Sequence, residues 1–271
     1  MPPLPPRAIV EALWSLRGPV DNERPPTVSA LRYRAESRRG IAPLLDLWAP
    51  RAPATGSAVL LVHGGGFTVG HRAMKPMRLL ASRLCDAGFA VASADYRMIL
   101  RGGRLDESLD DARAAFAFWH ETAQRRGWSD GRTSLVGLSA GGALAVLAAS
   151  GSAVVPHRLV GCFGLYDFDD LRGPLASLLP RLLLRTRDPS TWRARSPLEA
   201  PPTPAPTLLL HGTHDTLVPI TQARRLAARR LALGRPTRLV ELVGAPHAFF
   251  NTPGEAADRA LGEILAHLDA P

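Results

Sequence analysis

Lysine is nearly missing from this chain: Lys75 is the only one, so almost all of the 33 basic side chains are arginines. Against 24 acidic residues the net charge is +9, a balance that would suit a nucleic acid or an anionic membrane. The arginine pairs are scattered, however, at Arg38-Arg39, Arg125-Arg126, Arg224-Arg225 and Arg229-Arg230. No aromatic residues interleave with them as a base-stacking platform requires. They read as solvated faces, and no nucleic-acid partner is expected. Cysteine is scarce too. Cys85 falls in a predicted helix and Cys162 in a predicted strand, and two thiols without a spacing motif make neither a disulfide framework nor a metal site. Long apolar runs are lacking: the stretch 135–149 is interrupted by Ser139 and three glycines, and a membrane span needs roughly 18 apolar residues. The proline-rich start at 2–6 has no apolar signal region, so the expected location is cytoplasmic.

What is present is apolar content: 46% of 271 residues, enough for one large globular domain over 1–271. Short β-type runs at 58–62, 89–94, 133–138, 159–165, 207–211 and 238–243 alternate with helical spacing at 73–87, 106–126, 141–150, 220–233 and 254–269. Nearly continuous apolar strands separated by crossover helices predict an α/β fold, a mostly parallel central sheet with helices on both faces. Two earlier runs, 28–35 and 44–48, alternate more and suit an antiparallel edge. In such sheets ligands bind beyond the carboxyl ends of the strands, which makes polar residues directly after a strand the candidates for chemistry.

Three strand ends carry such residues. After 133–138 comes Gly137-Leu138-Ser139-Ala140-Gly141, a G-x-S-x-G pattern between a strand and an alanine-rich helix. The turn is expected to hold Ser139 in a strained conformation, with side chains at Gly137 and Gly141 colliding across it. After 58–62 comes His63-Gly64-Gly65-Gly66-Phe67, too short for a dinucleotide fingerprint. Consecutive glycines let amides converge, so Gly65 and Gly66 with Ala140 are the expected oxyanion donors. His63 is expected to brace that loop. After 207–211 and 238–243 come Asp215 and His247, an acid and an imidazole on consecutive strand ends.

Other candidates compete. His71, His120, His157 and His267 read as surface residues, and His211 as a strand-end residue satisfying backbone groups. His214 rivals His247 but shares a loop with Asp215. Asp167, Asp169 and Asp170 follow the strand at 159–165 and rival Asp215.

Taken together, the HGGG loop, the G-x-S-x-G elbow and the order Ser139, Asp215, His247 resemble the hormone-sensitive-lipase-like branch of the α/β-hydrolase esterases. Asp95-Tyr96-Arg97, Asp110-Asp111 and Ser196-Pro197-Leu198 add to the resemblance, which runs from about residue 58 to the C-terminus. The chain departs from it at Met98-Ile99-Leu100-Arg101-Gly102-Gly103, where the family carries Leu-Ala-Pro-Glu. The resemblance implies a carboxylesterase with Ser139 as nucleophile, His247 as base and Asp215 as its orienting acid, and neither metal nor organic cofactor. It also implies a small helical cap, about 1–25 and 168–200. There Leu175, Leu178, Leu179, Leu182, Leu183 and Leu184 recur with helical spacing before Trp192. Most of these leucines are expected in the core, and a few in an acyl pocket for short to medium chains. An acyltransferase, a thioesterase or an arylformamidase-like amidase would use the same residues, and non-catalytic receptors on this scaffold lack one of them. The expected partner is a small ester, with no membrane span; a homodimer through an edge strand or the last helix is compatible with the pattern.

Overall fold

The computed structural model describes residues 18–34, 43–172 and 177–270. Its strands are β1 (Val28–Arg32), β2 (Leu44–Trp48), β3 (Ser57–Val62), β4 (Ala90–Ala94), β5 (Arg132–Leu138), β6 (Leu159–Cys162), β7 (Thr207–Gly212) and β8 (Thr237–Leu242). They form one eight-stranded sheet in the order β1-β2-β4-β3-β5-β6-β7-β8. β1 and β2 pair antiparallel at one edge, and from β4 to β8 every pairing is parallel. Every residue of β3, β4, β6 and β7 is buried, which requires cover on both faces.

Helices supply that cover: α1 (Lys75–Asp86), α2 (Leu105–Arg125), α3 (Ala140–Ala149), α6 (Ile220–Ala232) and α7 (Glu255–Asp269), with two short helices between β6 and β7, α4 (Leu178–Leu184) and α5 (Pro189–Ala194). Alternate strand residues feed two cores. Leu60 and Leu135 join Phe116 and Trp119 of α2, Leu144 of α3 and Leu226 of α6. Val59, Leu61 and Val136 join Leu80 and Leu84 of α1 and Ile264 and Leu268 of α7. Cys85 and Cys162 are free and buried.

β6 ends at Cys162, three residues before the sequence-based limit of 165. Phe163 takes φ 41° and the Leu165 amide turns to Ser139 O at 3.3 Å, so the chain leaves the sheet and wraps the serine turn. The order of strands reverses at β3, whose partners β4 and β5 lie on opposite sides. A sheet of this kind opens a crevice at that point, between the carboxyl ends of β3 and β5.

Of the expected cap, residues 1–17 and 173–176, Leu175 among them, lie outside the described residues. Residues 18–24 run along α1: Arg78 donates to Gly18 O and pairs with Glu23, and Arg24 N donates to Ser82 Oγ at 2.9 Å. Among the described residues, no helix is long and apolar enough to cross a membrane.

Candidate active site

The β5–α3 turn holds Ser139 at φ 52° and ψ −117°, a conformation that costs a non-glycine residue roughly 1–3 kcal/mol and persists where the surroundings enforce it. The glycines show the enforcement. A Cβ on Gly137 would stand 2.1 Å from Gly141 O, as the motif predicts. One on Gly141 would stand 2.1 Å from Val62 O, so that glycine is fixed by the end of β3 and not by a clash with Gly137.

Ser139 Oγ lies 3.0 Å from His247 Nε2, and His247 Nδ1 lies 2.7 Å from Asp215 Oδ2. The carboxylate can only accept, so Nδ1 carries the proton and Nε2 turns its lone pair to the serine hydroxyl. Asp215 is well supplied with donors. The amides of Leu217 and Val218 donate to Oδ1 at 3.0 and 2.8 Å, and His211 Nε2 stands 3.0 Å from Oδ2. Its side chain is fully buried. Burial pushes the carboxyl pKa up, but the contacts with His211 and His247 and the Val218 amide outweigh it and hold the group well below the usual carboxylate range.

Residues Gly65, Gly66 and Ala140 line the same cavity as Ser139 and His247. Among the described residues, none of their amides has a protein acceptor. Gly65 has φ 114°, and a Cβ there would stand 1.9 Å from Val69 O; no other residue type fits this loop. His63, fully buried, donates from Nδ1 to Gly64 O at 2.7 Å and stacks on Tyr96 with ring centroids 4.3 Å apart. Burial pushes its imidazole pKa down.

The cavity holds ≈ 450 Å³ and is walled by Leu165, Leu178, Leu179, Leu182, Val218 and Phe163. Leu178, Leu179 and Leu182 of α4 therefore face the pocket, while Leu183 is buried and Leu184 packs against the core. Leu179 does both, lining the pocket and packing against the core, so Leu179, Leu183 and Leu184 follow the sequence expectation and Leu178 and Leu182 face the cavity. α4 is a short helix lying over the strand ends, so one of its faces meets an open cavity and not a second layer.

The rivals are occupied elsewhere. His214 is exposed. Asp167 pairs with Arg225 at 2.8 Å and Asp169 with Arg193 at 2.8 Å, and burial with a nearby Asp167 pushes the Asp170 carboxyl up. His71 is exposed as expected, whereas His120, His157 and His267 are half-buried. Two participants escape the sequence reading. Phe163 places its ring edge-on to His247 at 5.0 Å, and nothing in a lone phenylalanine after a strand signals this. His211 reaches both Val218 O and Asp215; its separation from Asp215 by four residues is visible, but the loop shape that joins them is not.

Esterase LipC of Mycobacterium tuberculosis is 30% identical over 262 residues, covering 85% of this chain and 64% of that protein. The probable isoprenylcysteine alpha-carbonyl methylesterase ICME of Oryza sativa subsp. japonica is 28% identical over 83% of this chain and 61% of its own length. The chain thus spans less than two thirds of these curated relatives. Esterase B of Lactobacillus Rhamnosis superposes with a TM-score of 0.78 at 19% identity, over 97% of this chain and 91% of that one. Esterase 2 of Thermogutta terrifontis, phosphonylated by sarin, gives 0.73 at 22% identity over 89% and 93%. These likenesses establish the α/β-hydrolase fold. Residues 45–230, more than half of the chain, match the BD-FAE family model, and the chain belongs to the BD-FAE family.

Proposed function

We propose that the chain is a serine hydrolase of carboxylic esters with short to medium acyl groups. One observation carries the reading: Ser139 Oγ, His247 and Asp215 form a continuous chain of contacts at 3.0 and 2.7 Å, on the same cavity as three amides that lack acceptors among the described residues. The names of the curated relatives, an esterase and a probable methylesterase, support it.

In the first half-reaction His247 Nε2 takes the hydroxyl proton as Ser139 Oγ bonds to the ester carbonyl carbon. The displaced electron pair moves onto the carbonyl oxygen, which accepts from the Gly65, Gly66 and Ala140 amides; each such donor is worth about a hundredfold in rate. Asp215 holds the tautomer and stabilises the imidazolium. Collapse expels the alkoxide, which leaves as the alcohol with the proton from Nε2. Water, deprotonated by the same nitrogen, then attacks the acyl-enzyme carbonyl. The carboxylic acid departs and the proton returns to Oγ. No metal or organic cofactor takes part.

Residues 1–271 act as one α/β-hydrolase domain, with the segment carrying α4 and α5 as its cap and His63 as the brace of the glycine loop. The cavity, ≈ 450 Å³, lies in the lower half of the roughly 300–1,000 Å³ common to small-molecule sites, which favours short to medium acyl chains. The test is Ser139→Ala with an activated short-chain ester, alongside a fluorophosphonate probe on the parent. Abolished turnover with an intact fold, and labelling confined to Ser139, are expected; full activity of the variant or labelling elsewhere would overturn the reading. An ester panel graded in acyl length, with a thioester, an anilide and alcohol acceptors, fixes the acyl range and separates hydrolysis from transfer.

A further inference from the structure

His211 is the penultimate residue of β7, its side chain fully buried, and the sequence predicts only backbone groups for it to satisfy. Its surroundings say more. Nε2 donates to Val218 O at 3.0 Å, and the same nitrogen stands 3.0 Å from Asp215 Oδ2. Both oxygens can only accept, so Nε2 carries the proton; its N–H is directed at Val218 O, and Asp215 Oδ2 lies beside that bond, near the positive end of the N–H dipole. Nδ1 is buried and has no hydrogen-bond partner among the described residues.

The carboxylate of Asp215 thus stands between two imidazoles, His247 at 2.7 Å and His211 at 3.0 Å. The amide of Val218 donates to Asp215 Oδ1 while its carbonyl accepts from His211, so one N–H ties both ends of the 215–218 loop. Val218 itself lines the cavity. A further charged group beside His211 is Glu241, its register partner on β8, already paired with Arg224 at 2.6 Å.

We propose that His211 is a positioning residue for ester cleavage: its buried Nε2–H, bonded to Val218 O and 3.0 Å from Asp215 Oδ2, holds the 215–218 loop so that Oδ2 is aimed at His247 and part of its charge is already satisfied. This rests on the Ser139, His247 and Asp215 reading above. A carboxylate stripped of that dipole keeps more charge for the His247 imidazolium, which then holds its proton to higher pH.

The experiment uses the full chain and an activated short-chain ester. His211→Leu keeps the bulk and removes the donor. It should lower kcat about tenfold, the scale of one lost polar contact. KM should change little, and the acid limb of the kcat/KM profile should move to higher pH. His211→Gln returns an N–H near the position of Nε2 and should restore most of kcat and the limb. A histidine with only a structural role would lower the melting temperature and leave the limb in place; that outcome, or unchanged kcat in folded His211→Leu, overturns the proposal. Should the leucine variant not fold, nitrogen NMR of the parent decides. The proton must be found on Nε2 of His211, and its resonance must move as His247 titrates; a proton on Nδ1 or an indifferent resonance sinks it. Loss of activity in Ser139→Ala together with a silent His211 would leave the esterase reading standing and remove only this one.

Discussion

The ring of Phe163 meets that of His247 edge-on, centroids 5.0 Å apart at an interplanar angle of 69°. Phe163 is buried and backed by Phe249 at 4.8 Å, so the imidazole rests against a packed aromatic wall. Phe163→Ala removes that wall. Its kcat should fall by between about ten- and a hundredfold, because small displacements of a reacting group cost that much. Urea denaturation should show a loss of about 3–5 kcal/mol. Parent-like kcat in a folded variant would count against the wall.

Arg72 clamps the loop that carries the free amides. Its Nε lies 2.8 Å from Asp46 Oδ1, its guanidinium pairs with Asp95, and its own amide donates to Asp95 Oδ1 at 2.7 Å. Asp46 is on β2 and Asp95 directly follows β4, so the loop is tied to two strands of the sheet. Arg72→Met removes the guanidinium from two buried carboxylates, at a cost of about 3–5 kcal/mol. Steady-state kinetics should show kcat falling more than KM rises, since a misplaced oxyanion donor weakens the transition state more than the ground state. An equal effect on both would deny the loop its role.

Leu182 lines the cavity yet is 38% exposed, so it can be enlarged without overpacking a core. Leu182→Trp should reduce kcat/KM for the longer acyl chains and spare acetate and butyrate esters. Stability should stay within about 0.5 kcal/mol of the parent, as for most surface changes. A parallel loss across all chain lengths would place the acyl group elsewhere.

Burial, with Arg158 nearby, pushes the His267 imidazole down to about 4. In the unfolded chain the same group titrates near about 6.5, so between these values the unfolded state binds a proton that the folded state refuses. The stability associated with the unprotonated ring is complete above about pH 6.5 and is lost as the pH falls through about 4. Melting temperatures taken across that window should fall with acid in the parent and fall less in His267→Gln. Identical slopes would dissociate His267 from acid sensitivity.

Much of this was legible before any coordinates. The continuous apolar runs that became β3, β4, β5 and β7 leave no alternative to a sheet covered on both faces, and the glycines around Ser139 and Gly65 mark turns that only those residues can make. The polar residues after β5, β7 and β8 were found by their place in that pattern. What stayed hidden depends on shape. Helical spacing says which leucines of α4 share a face, but not that Leu178, Leu179 and Leu182 would look onto a cavity. Phe163 and His211 are single residues whose partners, His247 and Asp215, are chosen by loops without a repeating pattern. Residues 18–24 lie along α1 through arginine contacts that no periodicity announces.

Ser139 and His247 are 108 residues apart in the chain and ride on strands separated by β6 and β7. On the proposed reading, turnover requires the last strand to have docked. During refolding from denaturant, the first cleaved ester would time the completion of that half of the molecule, a clock that circular dichroism, which reports helices wherever they form, does not offer.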